Sequence, residues 1–488
     1  MRSQIKTGCN GYMTVFLAMS MTIILSLILT LFSGARIGAV KMKTECIMDI
    51  GMNSVLAEYS RALYEQYGLL MVDTSYGTGS HTIVNTEEHL RHYIQKNCDR
   101  GTVGGLLGYQ TILSMRCEDA RITGSSFAMD NNGAVLNRQI LSYMGSQSVD
   151  SMMEEVAENA DTIVEEGFDT TDIEAEADAV SEEIEAFELP TVTNDEGEEE
   201  EISIANPADG IRVQKRAGIL NLAIGDKDRV SRAVIDSSEY VSHRQQNHGT
   251  GLSDNQEISL KEKFLLDAYY YLKCSRYGNE LEKSALKYQL EYMIYGQDSD
   301  WENLEKFTEY LFFVREAANA AYLFSCEAKK SEVKTYVDTV LLALSVIVPG
   351  IDELSGLLTT SLLFAWTMAE SVKDVNILLD GGRVPLIKSD STWQLDFFEM
   401  FVFTSFLNGG DCGEGLRYDQ YLMSRLFVTD TQVKTQRLAD IIEMDIRKTA
   451  GNEKFMIDHC LDIFRAEVKI GTKFAYDCKI ERVYGYEE

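Results

Sequence analysis

The apolar and polar positions of this chain change their period several times, and the first change is the sharpest. No residue between Lys6 and Arg36 is charged, and the stretch 12–32 is almost entirely apolar. A helix of that length rises about 30 Å, which matches the hydrocarbon core of a bilayer. We therefore predict a transmembrane helix over 12–32 that anchors the chain in the lipid bilayer.

A cleaved signal peptide is the competing interpretation of the same stretch. Ser33, Gly34 and Ala35 form the small-residue pattern that signal peptidase prefers. The apolar run is, however, longer than the usual signal-peptide core of about 7–15 residues. The sequence favours an anchor, and cleavage near Ala35 stays an alternative.

Helical spacing continues beyond the anchor and then gives way to strand-like segments. The segments 67–72 and 110–122 have the short apolar or alternating patterns that are typical of strands. We predict a juxtamembrane helix followed by a small sheet. The apolar positions that carry the helical spacing are Ile37, Val40, Ile47, Ile50, Val55 and Leu63.

The stretch from Asp150 to Glu201 is the most acidic part of the chain. It holds 22 Asp and Glu residues and no Lys or Arg, in a chain whose net charge is −32. Such a field repels phosphate backbones, so we expect no nucleic-acid partner. Apolar residues at helical spacing predict two acidic helices with a break at Gly167, and the aperiodic segment 189–206 predicts a linker.

The C-terminal half returns to a helical period and predicts a helical bundle. Ser299 and Glu302 have the spacing of a capping box at the start of its first helix. The two most apolar segments, 341–348 and 357–368, are each shorter than a membrane span, so we interpret them as core helices. The first helix begins near 299, and the later elements are helices at 333–348, 354–379, 396–406, 418–427 and 431–448 and strands at 467–474 and 479–486.

Together these elements predict an α+β fold that is predominantly α, with one N-terminal transmembrane helix, a large helical bundle and a small antiparallel sheet. Only four prolines and 45% hydrophobic residues suit long helices around a substantial core. We expect four consecutive regions: a short cytoplasmic tail and anchor at 1–35, a juxtamembrane helix and small α+β region at 36–148, acidic helices and a linker at 149–206, and a helical-bundle domain ending in a β-hairpin at 207–488.

The nine cysteines include no C-x-x-C pair and no Cys/His quartet at zinc spacing, so we expect no structural zinc site. Cys98 with Cys117, and Cys460 with Cys478, are close enough in sequence to be bridged outside the cytoplasm. Free buried thiols are the alternative.

Motifs of known catalytic chemistry are absent from the sequence. There is no G-x-S-x-G elbow, and the glycine-rich segment 101–108 lacks the Lys-Ser/Thr that a phosphate-binding loop needs. His81, His89 and His92 do not form the H-E-x-x-H arrangement of a zinc site. We therefore assign no catalytic, cofactor-binding or metal-binding residue and expect a non-enzymatic protein.

Polar residues within two otherwise apolar predicted helices form the candidate site. Arg315, Glu316 and Asn319 fall on one helix, and Trp366 and Glu370 are four residues apart on another. Burying Arg or Glu requires a paired partner. We predict that these five residues make a buried polar contact that fixes the bundle.

Two parts of the chain resemble known families. The segments GYMTVFLA, SVLAEY and LYEQYGLL near the N-terminus are similar to TadE/TadG-like pseudopilins. The C-terminal half resembles domain-of-unknown-function family 5702 of Gram-positive bacteria through EYMIYG, VREAAN, AWTMAES and LLDGGRVPL. The resemblance implies a component or accessory of a Tad-type pilus or secretion apparatus and implies no activity. Such pseudopilins commonly carry a glutamate five residues after the cleavage glycine, where this chain has Phe16, so the resemblance does not extend to processing after Gly11.

The combined expectation is a single-pass envelope protein with its N-terminus inside the cell and its main domain outside the cytoplasm. Positive residues on the two sides of the anchor are nearly balanced, so this orientation depends on the short N-terminal tail. We expect protein partners in an envelope assembly, and the oligomeric state stays open. The alternatives are a membrane-anchored extracytoplasmic hydrolase that uses Asp or Glu, and an acidic binding or sensor module.

Overall fold

The computed structural model describes residues 10–99, 113–145, 150–188, 192–193, 199–200, 205–252, 258–346, 348–402, 406–407, 409–474 and 476–486. Several predicted features lie wholly or largely outside these ranges. They are the N-terminal tail, the glycine-rich segment 101–108, the first residues of the predicted strand 110–122 and most of the predicted linker 189–206.

Helices dominate the described part of the chain, and an antiparallel sheet accompanies them, so the predicted fold class is confirmed. The helices are α1 (Asn10–Leu56), α2 (Arg61–Tyr67), α3 (Ile83–Asp99), α4 (Asp130–Met144), α5 (Asp150–Glu165), α6 (Ile173–Glu185), α7 (Asp209–Arg212), α8 (Ile219–Ala223), α9 (Leu260–Lys273), α10 (Gln289–Tyr295), α11 (Asp300–Ser325), α12 (Glu327–Leu344), α13 (Ser355–Leu379), α14 (Tyr418–Val428) and α15 (Thr431–Arg447). The strands are β1 (Val72–Asp73), β2 (Met115–Phe127), β3 (Val192–Thr193), β4 (Glu199–Glu200), β5 (Cys460–Thr472) and β6 (Asp477–Gly485).

The chain forms two compact units, and each combines segments that are distant in sequence. Unit 1 comprises Met1–Gln139, Gln246–Gln256 and Thr449–Glu488, and unit 2 comprises Ile140–Gln245 and Glu257–Lys448. This division differs from the four consecutive regions expected from the sequence. The C-terminal hairpin belongs to unit 1 and does not close the helical bundle, because its first strand pairs with the N-terminal strand β2.

Helix α1 is one continuous helix with two different surfaces. None of its side chains over 11–35 is buried, and α1 is the one helix in the described ranges that is long and apolar enough to cross a membrane. Buried positions recur from Val40 to Leu56, where one face of the helix belongs to the core of unit 1. The predicted continuation of the apolar helix into a packed helix is confirmed. Two of the apolar positions that carried this prediction are nevertheless exposed. Ile37 precedes the packed part of the helix, and Ile50 lies on the face that points away from the core.

Strand β5 is the centre of the sheet in unit 1. It pairs antiparallel with β2 from Met115↔Thr472 to Phe127↔Leu461, and with β6 from Ile463↔Gly485 to Gly471↔Asp477. The short strand β1 pairs with the beginning of β5. The predicted C-terminal hairpin is thus confirmed, and its first strand also pairs with the N-terminal strands β1 and β2.

One face of this sheet is apolar and the other is charged. Along β5 the alternate residues Phe464, Ala466, Val468 and Ile470 are buried, and charged residues stand between them. Helices α1 and α3 contribute to the same core as the apolar face. This is the alternation expected when an antiparallel sheet packs on one side and faces water on the other.

Helix α3 also covers part of the edge of β2. The Oε1 atom of Gln95 accepts a hydrogen bond from the N–H of Cys117 at 2.9 Å, and the Oε1 atom of Glu87 accepts one from the N–H of Ile122 at 2.7 Å. Side-chain acceptors therefore occupy backbone donors that an edge strand would otherwise present to another chain.

The two acidic helices are present in unit 2 as α5 and α6. The helical path is interrupted at Gly167, whose φ of 70° lies in the left-handed region that glycine adopts without strain. Asp172 caps the next helix by accepting a hydrogen bond from the N–H of Ala175. Ile173, Ala177 and Ile184 form its buried face, as the spacing predicted.

Helix α13 is the central helix of the bundle in unit 2. Every residue from Ser361 to Leu379 is buried, and α6, α8, α11 and α12 all pack against it. A helix that is buried on all sides is a core helix, so the interpretation of 357–368 is confirmed. The same interpretation is wrong for 341–348, because α12 ends at Leu344 and only Leu341 and Val348 among the described residues of this segment are buried, whereas Leu342 is 73% exposed.

Some local predictions were wrong. The predicted strand 67–72 is reduced to β1, because Tyr67 ends α2 and Gly68 caps that helix in the left-handed conformation. Within its described residues, the predicted helix 396–406 forms a short 3-10 turn over Phe397–Phe401. For the cysteines the sequence left two alternatives open, and Cys117 and Cys478 are not disulfide-bonded, so neither the pair Cys98 with Cys117 nor the pair Cys460 with Cys478 is bridged.

Candidate functional site

Helices α11 and α13 bring the predicted polar residues into the core of unit 2. Arg315, Asn319 and Glu370 are fully buried, Trp366 is 1% exposed, and Glu316 is 5% exposed. Ser299 begins α11 by accepting a hydrogen bond from the N–H of Glu302 at 3.2 Å, which sets the position of the helix that carries the first three residues. The side chains that the sequence singled out therefore lie inside the protein.

The Arg315 guanidinium is held by acceptors from three directions. Its Nε donates to the Oδ2 atom of Asp374 at 3.0 Å, and an Nη2 donor reaches the Oδ1 atom of Asn319 at 3.0 Å. Its Nη1 donates to the backbone carbonyls of Pro385 and Leu386 at 2.9 and 2.7 Å. The guanidinium thus joins α11 and α13 to the segment that follows α13.

Lys388 brings a second cation into the same place from that segment. Its ammonium donates to Glu370 and lies 2.5 Å from the Oδ1 atom of Asp374. Glu370 also accepts hydrogen bonds from the backbone N–H groups of Gln394 at 2.8 Å and Leu395 at 2.9 Å. We call Arg315, Asn319, Glu370, Asp374 and Lys388 the ionic network.

The charges of the ionic network balance, with two carboxylates facing two cations that are all buried. Burial acts to raise the pKa of Asp374, but the nearby Lys388 and Arg315 outweigh it and the pKa is lowered. Burial raises the pKa of Glu370 despite the opposing effect of Lys388. Asp374 is therefore the more firmly ionised of the two carboxylates.

Two indoles cover one side of the ionic network. The Nε1 atoms of Trp366 and Trp393 both donate to the carbonyl of Leu395, at 3.0 and 2.9 Å. The two rings meet edge to face with centroids 5.6 Å apart, and the Lys388 ammonium lies 5.7 Å from the Trp393 ring centroid. The indoles exclude water from the charges and strengthen the interactions between them.

Glu316 lies on α11 but makes its contacts apart from this network. Its carboxylate is 3.5 Å from the ammonium of Lys215, which also pairs with Glu174 at 2.6 Å. Burial raises the pKa of Glu316 to about 7, although Lys215 lowers it. The structure therefore divides the five predicted residues between two places.

The sequence prediction missed Asp374 and Lys388, which hold the ionic network together. Asp374 could have been found, because it lies four residues after Glu370 in the same apolar helix and so faces the same side. Lys388 has no comparable signal, because it reaches the network from a segment without helix or strand periodicity.

Two cavities of the described residues lie away from the ionic network. One of about 620 Å³ opens between α6 and α7, and one of about 170 Å³ lies between the turns 73–79 and 451–455. Among the residues that line them, none is Glu370, Asp374 or Lys388. The ionic network can hold helices and a loop in register, and these cavities give a substrate no path to its carboxylates.

His81 and His89, two of the three histidines that lie close together in the sequence, make different contacts. His89 Nδ1 lies 2.9 Å from a Glu58 carboxylate oxygen, and its ring stacks on Tyr76 at 4.0 Å. His81 Nε2 lies 2.9 Å from the carbonyl oxygen of Lys454. Within the described ranges, no group of three or more His, Cys, Asp or Glu side chains is arranged to hold a metal ion.

These features define a class of protein with an apolar N-terminal helix that continues into a small α+β unit, and with a helical bundle tied together by buried charges. The chain belongs to the family of unknown function DUF5702, whose sequence profile matches residues 197–472, more than half of the 488 residues. No curated protein and no solved structure matches the chain significantly.

Proposed function

We propose that this chain is a non-enzymatic, membrane-anchored protein of the cell envelope, with its main domain outside the cytoplasm. The observation that carries the proposal is α1, whose exposed apolar part runs without interruption into the buried part that packs in unit 1. A helix that is both anchor and core element places its folded unit at a constant distance from the membrane. Such a protein suits a positional role in an assembly.

We further propose that this assembly is a Tad-type pilus or secretion apparatus. The resemblance of the N-terminal segments GYMTVFLA, SVLAEY and LYEQYGLL to TadE/TadG-like pseudopilins supports this assignment. The ionic network supports a structural rather than a catalytic role for unit 2, because its carboxylates pair with Lys388 and Arg315.

Membrane fractionation tests the anchor. The wild-type chain should stay in the membrane through an alkaline carbonate wash, whereas L25R should weaken insertion, since arginine at a bilayer centre costs about 2.5–3.5 kcal/mol. I50R is the matched control, because Ile50 is 49% exposed in the part of α1 that packs in unit 1. A mature chain that has lost its first 35 residues and stays in the supernatant when the membranes are pelleted would contradict the anchor and support a cleaved signal.

Protease treatment of intact cells, followed by cross-linking, tests orientation and partner. External protease should digest unit 2 and the part of unit 1 that follows α1 if they lie outside the cytoplasm. Cross-linking in cells that assemble a Tad-type pilus should then capture pilus or secretion components. Protection of both units from the protease would refute the orientation, and capture of none of those components would refute the Tad assignment.

An acidic binding module is the second candidate, and the cavity beside α6 favours it. That cavity is about 620 Å³ in volume, and its lining holds five carboxylates and three basic residues. Arg212 pairs with Asp178 and Lys215 with Glu174, while Glu182, Glu185 and Asp209 also line it. Carboxylates on such a surface attract basic partners through interactions that salt screens. Capture of a basic peptide that does not weaken as the salt concentration rises would count against this candidate.

A further inference from the structure

The tip of the β5–β6 hairpin lies beside α1 at the place where the helix first becomes covered. The guanidinium carbon of Arg36 is 4.2 Å from the ring centroid of Phe474 and 5.4 Å from that of Phe32. Phe474 and Tyr476, which lie between the two strands, also pack against the core of unit 1. The hairpin tip is therefore held at the level of Arg36 along the helix.

That level corresponds to the headgroup layer if 12–32 fills the hydrocarbon core. Arg36 follows Phe32 by four residues, which is about 6 Å along a helix. The headgroup region on each side of a bilayer is roughly 5–8 Å thick. Arg36 and the Phe474 ring that it contacts would then both lie within this layer.

The surface at this level is positively charged in a chain that is otherwise strongly acidic. Three cations lie on the first turns of α1 beyond the apolar part, and the first acidic residue of that helix is Glu45. The nearby carboxylates of Glu118 and Asp477 are paired with Lys469 at 2.9 and 3.0 Å. We call the residues within this layer the juxtamembrane collar, which comprises Arg36, Lys473, Phe474 and Tyr476. Lys41 and Lys43 lie farther along the helix, roughly 13–17 Å beyond Phe32, on the far side of that layer.

We propose that the juxtamembrane collar docks unit 1 onto the bilayer that α1 crosses. Its cations bind the phosphates of anionic lipid headgroups, which attract basic residues next to a membrane segment. Its aromatic rings lie at the boundary between headgroups and acyl chains, where such side chains concentrate. The inference rests on the proposed anchor function of α1, to which it adds a second, peripheral contact with the same membrane.

Fluorescence quenching by brominated lipids tests the position of the hairpin tip. The full chain carrying F474W is reconstituted in vesicles of phosphatidylcholine and phosphatidylglycerol whose acyl chains are brominated near the headgroup. V483W is the matched control, because Val483 is 46% exposed near the other end of β6. After subtraction of the wild-type emission, the tryptophan at position 474 should be quenched several-fold more than that at 483. Equal quenching at the two positions would overturn the proposal.

The charge contribution is tested in the F474W background with and without phosphatidylglycerol. K473E should reduce the quenching that the anionic lipid adds. K454E serves as the control, because Lys454 is exposed and precedes β5, about 40 Å along the chain from the tip. Quenching that depends on neither phosphatidylglycerol nor Lys473 would overturn the binding of anionic headgroups.

An alkaline carbonate wash of the same vesicles distinguishes a failure of the anchor from a failure of the juxtamembrane collar. A chain that the wash releases contradicts the anchor, and with it the collar. A chain that stays in the vesicles while position 474 remains unquenched leaves the anchor intact and refutes the collar alone.

Discussion

Replacing Lys388 with methionine tests the ionic network directly. Methionine keeps most of the apolar stem of the lysine but removes the ammonium that holds both Glu370 and Asp374. Arg315 still pairs with Asp374 in this variant, whereas Glu370 keeps only two backbone N–H donors. K388M therefore leaves one buried carboxylate without a cation.

The expected loss follows from the burial of both partners. Removing one member of a buried ion pair costs about 3–5 kcal/mol, because the other charge stays buried without compensation. Glu370 can lessen this loss by binding a proton, since burial already raises its pKa. We therefore expect K388M to lose about 3 kcal/mol of unfolding free energy at neutral pH and less in acid, out of a typical total of about 5–15 kcal/mol.

Denaturant unfolding of the full chain in detergent, followed by tryptophan fluorescence, measures this change. Trp366 and Trp393 report on the relevant region, because they lie directly beside the ionic network. K334M is the matched control. Lys334 is 58% exposed and pairs with Asp338 at 3.1 Å, and such surface pairs contribute about 0–1 kcal/mol.

A double variant identifies the cause of the loss. E370Q together with K388M removes both members of the pair, so it should recover part of the stability that K388M loses. The reasoning is refuted if K388M is no less stable than K334M, or if the double variant is as unstable as the sum of the two single variants.

Three further predictions concern other parts of the protein. Burial raises the pKa of Glu291 from 4.5 to about 7, so the wild-type chain should lose on the order of 3 kcal/mol of unfolding free energy as pH rises between these values. Denaturant unfolding measured at several pH values should show a smaller decrease of unfolding free energy with pH for E291Q than for the wild type. G415A should destabilise unit 2 by at least about 2 kcal/mol, since Gly415 has a φ of +95° and a Cβ atom there would lie 2.1 Å from a backbone nitrogen. G356A in α13 is the control, because a Cβ atom there meets open space, and thermal unfolding should show a gain of up to about 1 kcal/mol in stability. Q95A should remove the acceptor of the Cys117 N–H and lower unfolding free energy by about 1–3 kcal/mol, and an unchanged value would mean that water replaces the side chain.

Much of the secondary structure could be predicted because it depends on neighbouring residues. The uncharged stretch before Arg36, the break at Gly167 and the long apolar α13 are visible as local periods or turn residues. Predictions failed where a short apolar run had no long period to define it. The segment 67–72 shows this, since the end of α2 and the cap at Gly68 took most of the expected strand.

The candidate site could be predicted only in part. Arg315 and Glu370 were recognisable because a charge inside an apolar helical pattern must find a partner when it is buried. The sequence could not name Lys388 as that partner, because the segment after α13 carries no period that relates it to α11 or α13. The prediction also grouped Glu316 with Arg315, although helix geometry offered a signal against this, because successive helical residues point in directions about 100° apart.

By itself, the sequence determined that the chain has an apolar helix able to span a bilayer, an acidic helical region and a predominantly helical body. These are properties of local composition and period, which act over a few turns of chain. Only the tertiary structure decided that β5 pairs with β2, more than 300 residues away, and that Lys388 neutralises Glu370 and Asp374. Such contacts depend on which apolar surfaces pack together and on which buried charges then need partners, and neither can be derived from one segment alone.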